Sequence, residues 1–120
     1  MGKYIDGFLL PMMAENVEKY REIAQKAGEI WKEHGALEYI EAVGDDLEQD
    51  EMVSFKTSAD AKDGETVIFA FIVFESKEER DRINALVMED ARLQEMMSPD
   101  MKFFDYKRMS YGGFNAIVEL

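Results

Sequence analysis

Apolar and polar positions in this chain change period several times, and each change marks an element. From residue 3 to 11, "KYIDGFLLP" alternates at the period of a strand, with Tyr4, Asp6, Phe8 and Leu10 on one side and Ile5, Gly7 and Leu9 on the other. Pro11 is expected to close it. From 15 to 34 the period lengthens: Val17, Tyr20, Ala24, Ala27 and Trp31 recur at steps of three and four, and Ile23 and Ile30 widen the stripe. That is an amphipathic helix, and Gly35 is its natural stop.

Residues 36–43, "ALEYIEAV", read as a second strand. "GDDLEQDE" follows as an acidic loop, and "MVSFKTS" is expected to extend the strand or form a short hairpin arm. "TVIFAFIVF", 66–74, carries no charge and is dominated by β-branched and aromatic residues, so a strand buried on both faces is expected. Ser76 with Glu79 three residues on is a capping box, opening a second helix whose apolar face is Ile83, Leu86 and Val87. Ala91 to Met97 continue as a short irregular helix before Pro99, and "KRMSYGGFNAIVE" is a last strand interrupted by a glycine pair.

The order strand, helix, strand, strand, helix, strand predicts an α+β fold, a ferredoxin-like βαββαβ unit with an antiparallel sheet and both helices on one face. No linker or repeat divides it, so residues 1–120 are expected to form one domain. The other face of the sheet needs a cover, because 66–74 is apolar at every position. The simplest cover is a second copy, giving a homodimer packed sheet to sheet as a dimeric α/β barrel.

Composition narrows the function. Twenty-six acids against fourteen basic residues give a formal net charge of −12, which repels nucleic-acid backbones and anionic membranes. The basic residues are scattered, so neither nucleic acid nor membrane is expected as a partner. Absence of cysteine removes thiolate metal sites and cysteine nucleophiles. The acidic loop with Asp45, Asp46, Glu48, Asp50 and Glu51 lacks the ligand spacing of a calcium loop. No metal or cofactor is therefore expected. The opening "MGKYIDGFLLPMM" has no cleavage pattern, and a cytoplasmic location is the default.

Candidate chemistry is sparse. His34, the sole histidine, continues the buried stripe at the helix end, where it caps carbonyls; general acid–base use is the sharper alternative. Asp6 is an acid within an apolar strand and calls for a partner, with Arg108, Lys107 or a tyrosine the candidates. With Ile5, Gly7 and Leu9 turned to the helices, Asp6 would face the second subunit. Gly7 beside Gly112 and Gly113 on a neighbouring strand leaves room for a bulge or a ligand, with Tyr4, Trp31, Tyr111 and Phe114 able to line it.

The blocks "KYIDGFLLP", "YREIAQKAG", "KEHGALEYIE", "SKEERD" and above all "FDYKRMSYGGF" resemble the YbaA-like family of uncharacterised bacterial proteins over nearly the whole chain. The resemblance implies membership of the dimeric α+β barrel superfamily and supplies no catalytic residue. Related barrels include cofactor-free monooxygenases, isomerases and haem-degrading enzymes. The expected function is thus binding or transformation of a small apolar molecule in a barrel pocket, with a non-catalytic binding or regulatory module as the alternative.

Overall fold

The computed structural model describes residues 2–97 and 105–120; Pro99 lies outside them. Four strands, β1 (Tyr4–Met13), β2 (Glu38–Val43), β3 (Glu65–Phe74) and β4 (Ser110–Asn115), form one antiparallel sheet in the order β2-β3-β1-β4. The helices are α1 (Val17–His34), a single turn α2 (Phe55–Ser58), α3 (Lys77–Glu89) and α4 (Ala91–Met96). This is the α+β arrangement with a four-stranded antiparallel sheet that the hydrophobic periods predict.

Several boundaries differ from expectation. The last strand is confined to Ser110–Asn115 and pairs continuously through its glycine pair, while Tyr106–Arg108 form a 3-10 turn ahead of it. β1 runs through Pro11 to Met13. Pairing with β4 stops at Leu9, so one edge of β1 is open at Pro11, where a proline is tolerated. The segment "MVSFKTS" is not a strand. Ser54 accepts a hydrogen bond from the backbone N–H of Lys56 at 3.1 Å and starts the α2 turn instead. The Ser54 side chain, bonding its own backbone two residues on, competes well against strand pairing, and the apolar pair Met52 and Val53 stays exposed.

The other ends follow known rules. Gly35 takes φ 121° and its N–H bonds back to Lys32, ending α1. The Ser76 side chain accepts from the Glu79 N–H at 3.1 Å and opens α3.

The main core lies between the sheet and the helices. Ile72 and Phe74 of β3 meet Ile30 of α1, Ile83 and Val87 of α3, and Leu93 of α4. Leu10, Met12 and Ile68 form a second cluster, against which Val17 and Tyr20 pack. Each such side chain contributes about 1.5–3 kcal/mol through its burial.

That core fixes the parity of every strand. Tyr4, Asp6, Phe8, Leu10 and Met12 face the helices, opposite Phe74, Ile72, Ala70, Ile68 and Thr66. Ile5, Gly7 and Leu9 therefore lie on the far face, and the placement of Asp6 against a second subunit is corrected. Both sides of β1 are apolar enough that alternation alone could not choose between them.

The far face carries Val67, Phe69, Phe71 and Val73 of β3, but β3 is not buried on both sides. Phe69 is 47% exposed, Ile40 42% and Phe114 59%. One end of this face is covered by the chain itself: Phe55 of α2 packs on Phe69 at 6.0 Å between ring centroids, and Val67 beside it is 2% exposed.

Candidate functional site

Three polar side chains converge where α1 passes over β2. Alternation along β2 sends Tyr39 and Glu41 to the helix face. The ring of Tyr39 fits against α1 because residue 28 is glycine; a Cβ there would fall 2.6 Å from the ring. Tyr39 donates its hydroxyl proton to one oxygen of Glu41 at 2.5 Å, and Tyr20 of α1 donates to the other. Burial first, and then the adjacent Glu41 carboxylate, pushes both phenols well above the ordinary tyrosine range, so both hold their protons. No cationic side chain among the described residues forms an ion pair with Glu41.

This trio stands between two spaces. Inside is a cavity of about 100 Å³, walled by Phe8, Trp31, Tyr20 and Tyr39 and floored by apolar residues of β1 and β3, among them Leu10, Ile68, Ala70 and Ile72. Outside is a groove of about 1240 Å³ between α1 and β2. Tyr20, Tyr39 and Glu41 line both.

A second polar group lies behind Trp31. Its indole N–H donates to Oδ1 of Asn84 on α3 at 2.9 Å, and Nδ2 of Asn84 donates to Asp6 at 3.1 Å. The two bonds together fix the orientation of the Asn84 amide. Asp6 is 1% exposed, and its other oxygen lies 3.6 Å from Nε of Arg80. Neither of those two atoms has a hydrogen-bond partner among the described residues. Arg80 donates to the Tyr4 hydroxyl at 2.9 Å and lies over the Tyr4 ring, 4.8 Å from its centroid. Burial disfavours the Arg80 charge, but the Tyr4 hydrogen bond and Asp6 outweigh it and raise its pKa. Burial and the negative Asp6 likewise raise Tyr111.

The candidates read from the sequence are thus divided. Tyr4, Asp6, Trp31, Tyr111 and Gly113 gather on the helix side. Gly113 is opposite Asp6, and a Cβ on it would fall 2.3 Å from the Tyr4 hydroxyl. Gly7 and Gly112 face each other on the far side, beneath the ring of Phe114, which approaches the position of a Gly7 Cβ to 3.2 Å. The glycines hold an aromatic ring there.

Arg108 does not meet Asp6. It forms a two-pronged ion pair with Glu65 at 2.7 and 2.8 Å, at the opposite end of β1, and the Glu65 carboxyl is lowered to about 2, chiefly by that hydrogen bonding. His34 is also apart. Its Nε2 is 3.0 Å from Asp90, at the junction of α3 and α4, where Arg92 joins Asp90 to Glu33. Hydrogen bonds from Arg92 and then His34 hold Asp90 well below the usual carboxylate range.

Sequence reasoning missed Tyr20, Tyr39, Glu41, Arg80 and Asn84 as site residues. A usable signal existed in "EYIEAV", where Glu41 shares a strand face with Tyr39 in an otherwise apolar setting. Asn84 and Arg80 gave none, since polar residues on a helix are ordinary.

Residues 3–106 match the family described as "Protein of unknown function (DUF1428)". The chain is 38% identical over 117 residues to the uncharacterized protein YbaA of Escherichia coli K12, spanning 98% of both chains, and equally to its Shigella flexneri counterpart. Among solved structures, SnoaB of Streptomyces nogalater, described as a cofactor-independent oxygenase, superposes with a TM-score of 0.63 at 12% identity, covering 100% of this chain and 98% of that one. A nipsnap family protein of unknown function from Agrobacterium tumefaciens gives 0.57 at 14% identity, covering 94% and 86%. Likeness at such identities concerns the fold. The chain belongs to the DUF1428 family of YbaA-like uncharacterised proteins.

Proposed function

We propose that the protein binds a small, largely apolar molecule in the pocket between its sheet and α1, as one half of a ferredoxin-like homodimer, a dimeric α/β barrel. The observation that carries this reading is the cavity walled by Phe8, Trp31, Tyr20 and Tyr39 with the Glu41 carboxylate at its mouth. Aromatic walls with a few fixed polar atoms are the usual make-up of a ligand site. The cavity alone is small for a whole ligand, and the adjoining groove takes the remainder. SnoaB, a cofactor-independent oxygenase by its description, shares the fold. The shared fold does not carry over its reaction.

Charge favours a second copy over the far face. Two chains of net charge −12 repel each other, so they can meet only where each is neutral. The strand positions on that face are apolar or small apart from Ser110, Glu38 and Glu65, and the two acids lie at opposite ends of β3. Glu65 is neutralised by Arg108. Ile40, Phe69 and Phe114 remain open between them and would be buried in the pair.

Native mass spectrometry of the purified protein tests both parts. The expected result is a species of twice 13.9 kDa that retains or takes up a small apolar molecule. A monomer that stays folded and holds no ligand from an apolar panel overturns the reading.

A further inference from the structure

We infer that the inner cavity recognises an alkylated ammonium group, so that the ligand is an organic cation with an apolar remainder. The inference rests on the pocket reading above and adds the chemistry of the head group.

The argument is a count of protons. Tyr20, Tyr39 and Trp31 in the wall each have one side-chain proton to donate, and each proton is committed to another side chain. Tyr20 and Tyr39 donate to Glu41, and the Trp31 indole donates to Asn84. What these groups offer inward is phenol oxygens, a carboxylate and the π faces of aromatic rings. Trp31 and Tyr39 stand 5.9 Å apart at 34°. Among the described residues a carbonyl or an anion finds no donor there, and a cation finds attractive partners.

Size and polarity settle the kind of cation. About 100 Å³ admits one head group and no ring system. The floor is apolar, so a bare ammonium with three N–H donors would leave some unpaired. Methyl groups on the nitrogen match both the floor and the ring faces, while Glu41 balances the charge. Asp6, through Asn84, is a positioning residue that keeps Trp31 in the wall.

Trp31 is the sole tryptophan, so intrinsic fluorescence reads the cavity wall directly. The full chain is titrated with choline chloride and, in parallel, with 3,3-dimethylbutan-1-ol, which has the same shape without the charge. The expected result is a saturable change with choline, at least about tenfold tighter than with the alcohol. Glu41→Gln, shown folded by circular dichroism, is expected to weaken choline about tenfold and the alcohol by a clearly smaller factor. Equal binding of both compounds to the native protein overturns the ammonium assignment and leaves the pocket standing. No saturable change with either also overturns it, and a neutral apolar molecule found bound by mass spectrometry then shows that the pocket reading survives alone. The comparison in the native protein does not depend on the variant folding.

Discussion

The two faces of the sheet are both rich in apolar residues, yet they solve different problems. The helix face is closed, and there the polar groups are tied to one another: Asp6 to Asn84 and Arg80, Glu41 to two tyrosines. Among the described residues the far face has one such tie, Glu65 to Arg108 at its rim, and it leaves Ile40, Phe69 and Phe114 in the open. A closed face must satisfy its own polar atoms, whereas an open one can stay apolar only if another surface completes it. Burial therefore predicts where stability resides, and exposure predicts where association does.

Changes on each face should have separable effects. Phe74→Ala, at a residue with no exposure, should cost about 3–5 kcal/mol in chemical denaturation. A loss below about 1 kcal/mol would break the claim that the helix side is the closed one. Asp6→Ala removes the counter-charge from Arg80 and a partner from Asn84. Arg80 keeps Tyr4 and some solvent, so the cost should be near the lower end for a broken pair, about 3 kcal/mol, with Trp31 fluorescence altered as well. An unchanged emission would separate Asp6 from the cavity wall.

Phe114→Asp on the far face should instead shift mass. We expect a monomer in sedimentation with the fold retained and helix-side packing intact. A dimer that survives this change and Phe69→Asp would remove the far face as the contact.

Acid should then distinguish a pair at the rim of the sheet. Arg108 lowers Glu65 from its ordinary 4.5 to about 2. A carboxyl depressed on folding stabilises fully above its unfolded pKa, and that contribution is lost as pH falls from about 4.5 to about 2. Arg108→Gln should flatten stability across that window and converge with the native protein below it. The smallest effect is expected at His34, apart from either face: His34→Gln should lower stability by about 1 kcal/mol or less in thermal unfolding.

Much of the fold was legible because it rests on period and local chemistry. The uninterrupted apolar run of β3, the stripe of α1, and the Ser76 and Gly35 signals each locate an element without reference to the rest of the chain. Strand parity was not legible. Tyr4, Phe8 and Leu10 on one side of β1 weigh about as much as Ile5 and Leu9 on the other, so Asp6 could be assigned to the wrong side. The candidate site was mostly hidden, since Tyr20, Glu41, Asn84 and Asp6 come from four elements whose meeting depends on that parity. Trp31 was found because aromatic size singles it out. The role of Asn84 needed its two partners.

The adjacent glycines of β4 offer a way to engineer the two surfaces independently. Gly112 and Gly113 differ by one step along the chain and so belong to opposite sides of the sheet. A methyl added at Gly112 would meet nothing closer than the Phe114 ring at 3.7 Å and should be accepted. The same methyl at Gly113 would strike the Tyr4 hydroxyl at 2.3 Å and Arg80 at 2.8 Å, so those side chains would have to move. Alanine at one site and then the other thus makes a matched pair of reagents. One alters the far face alone, the other disturbs the polar cluster behind the cavity, and any property that responds to a single member of the pair can be assigned to one surface.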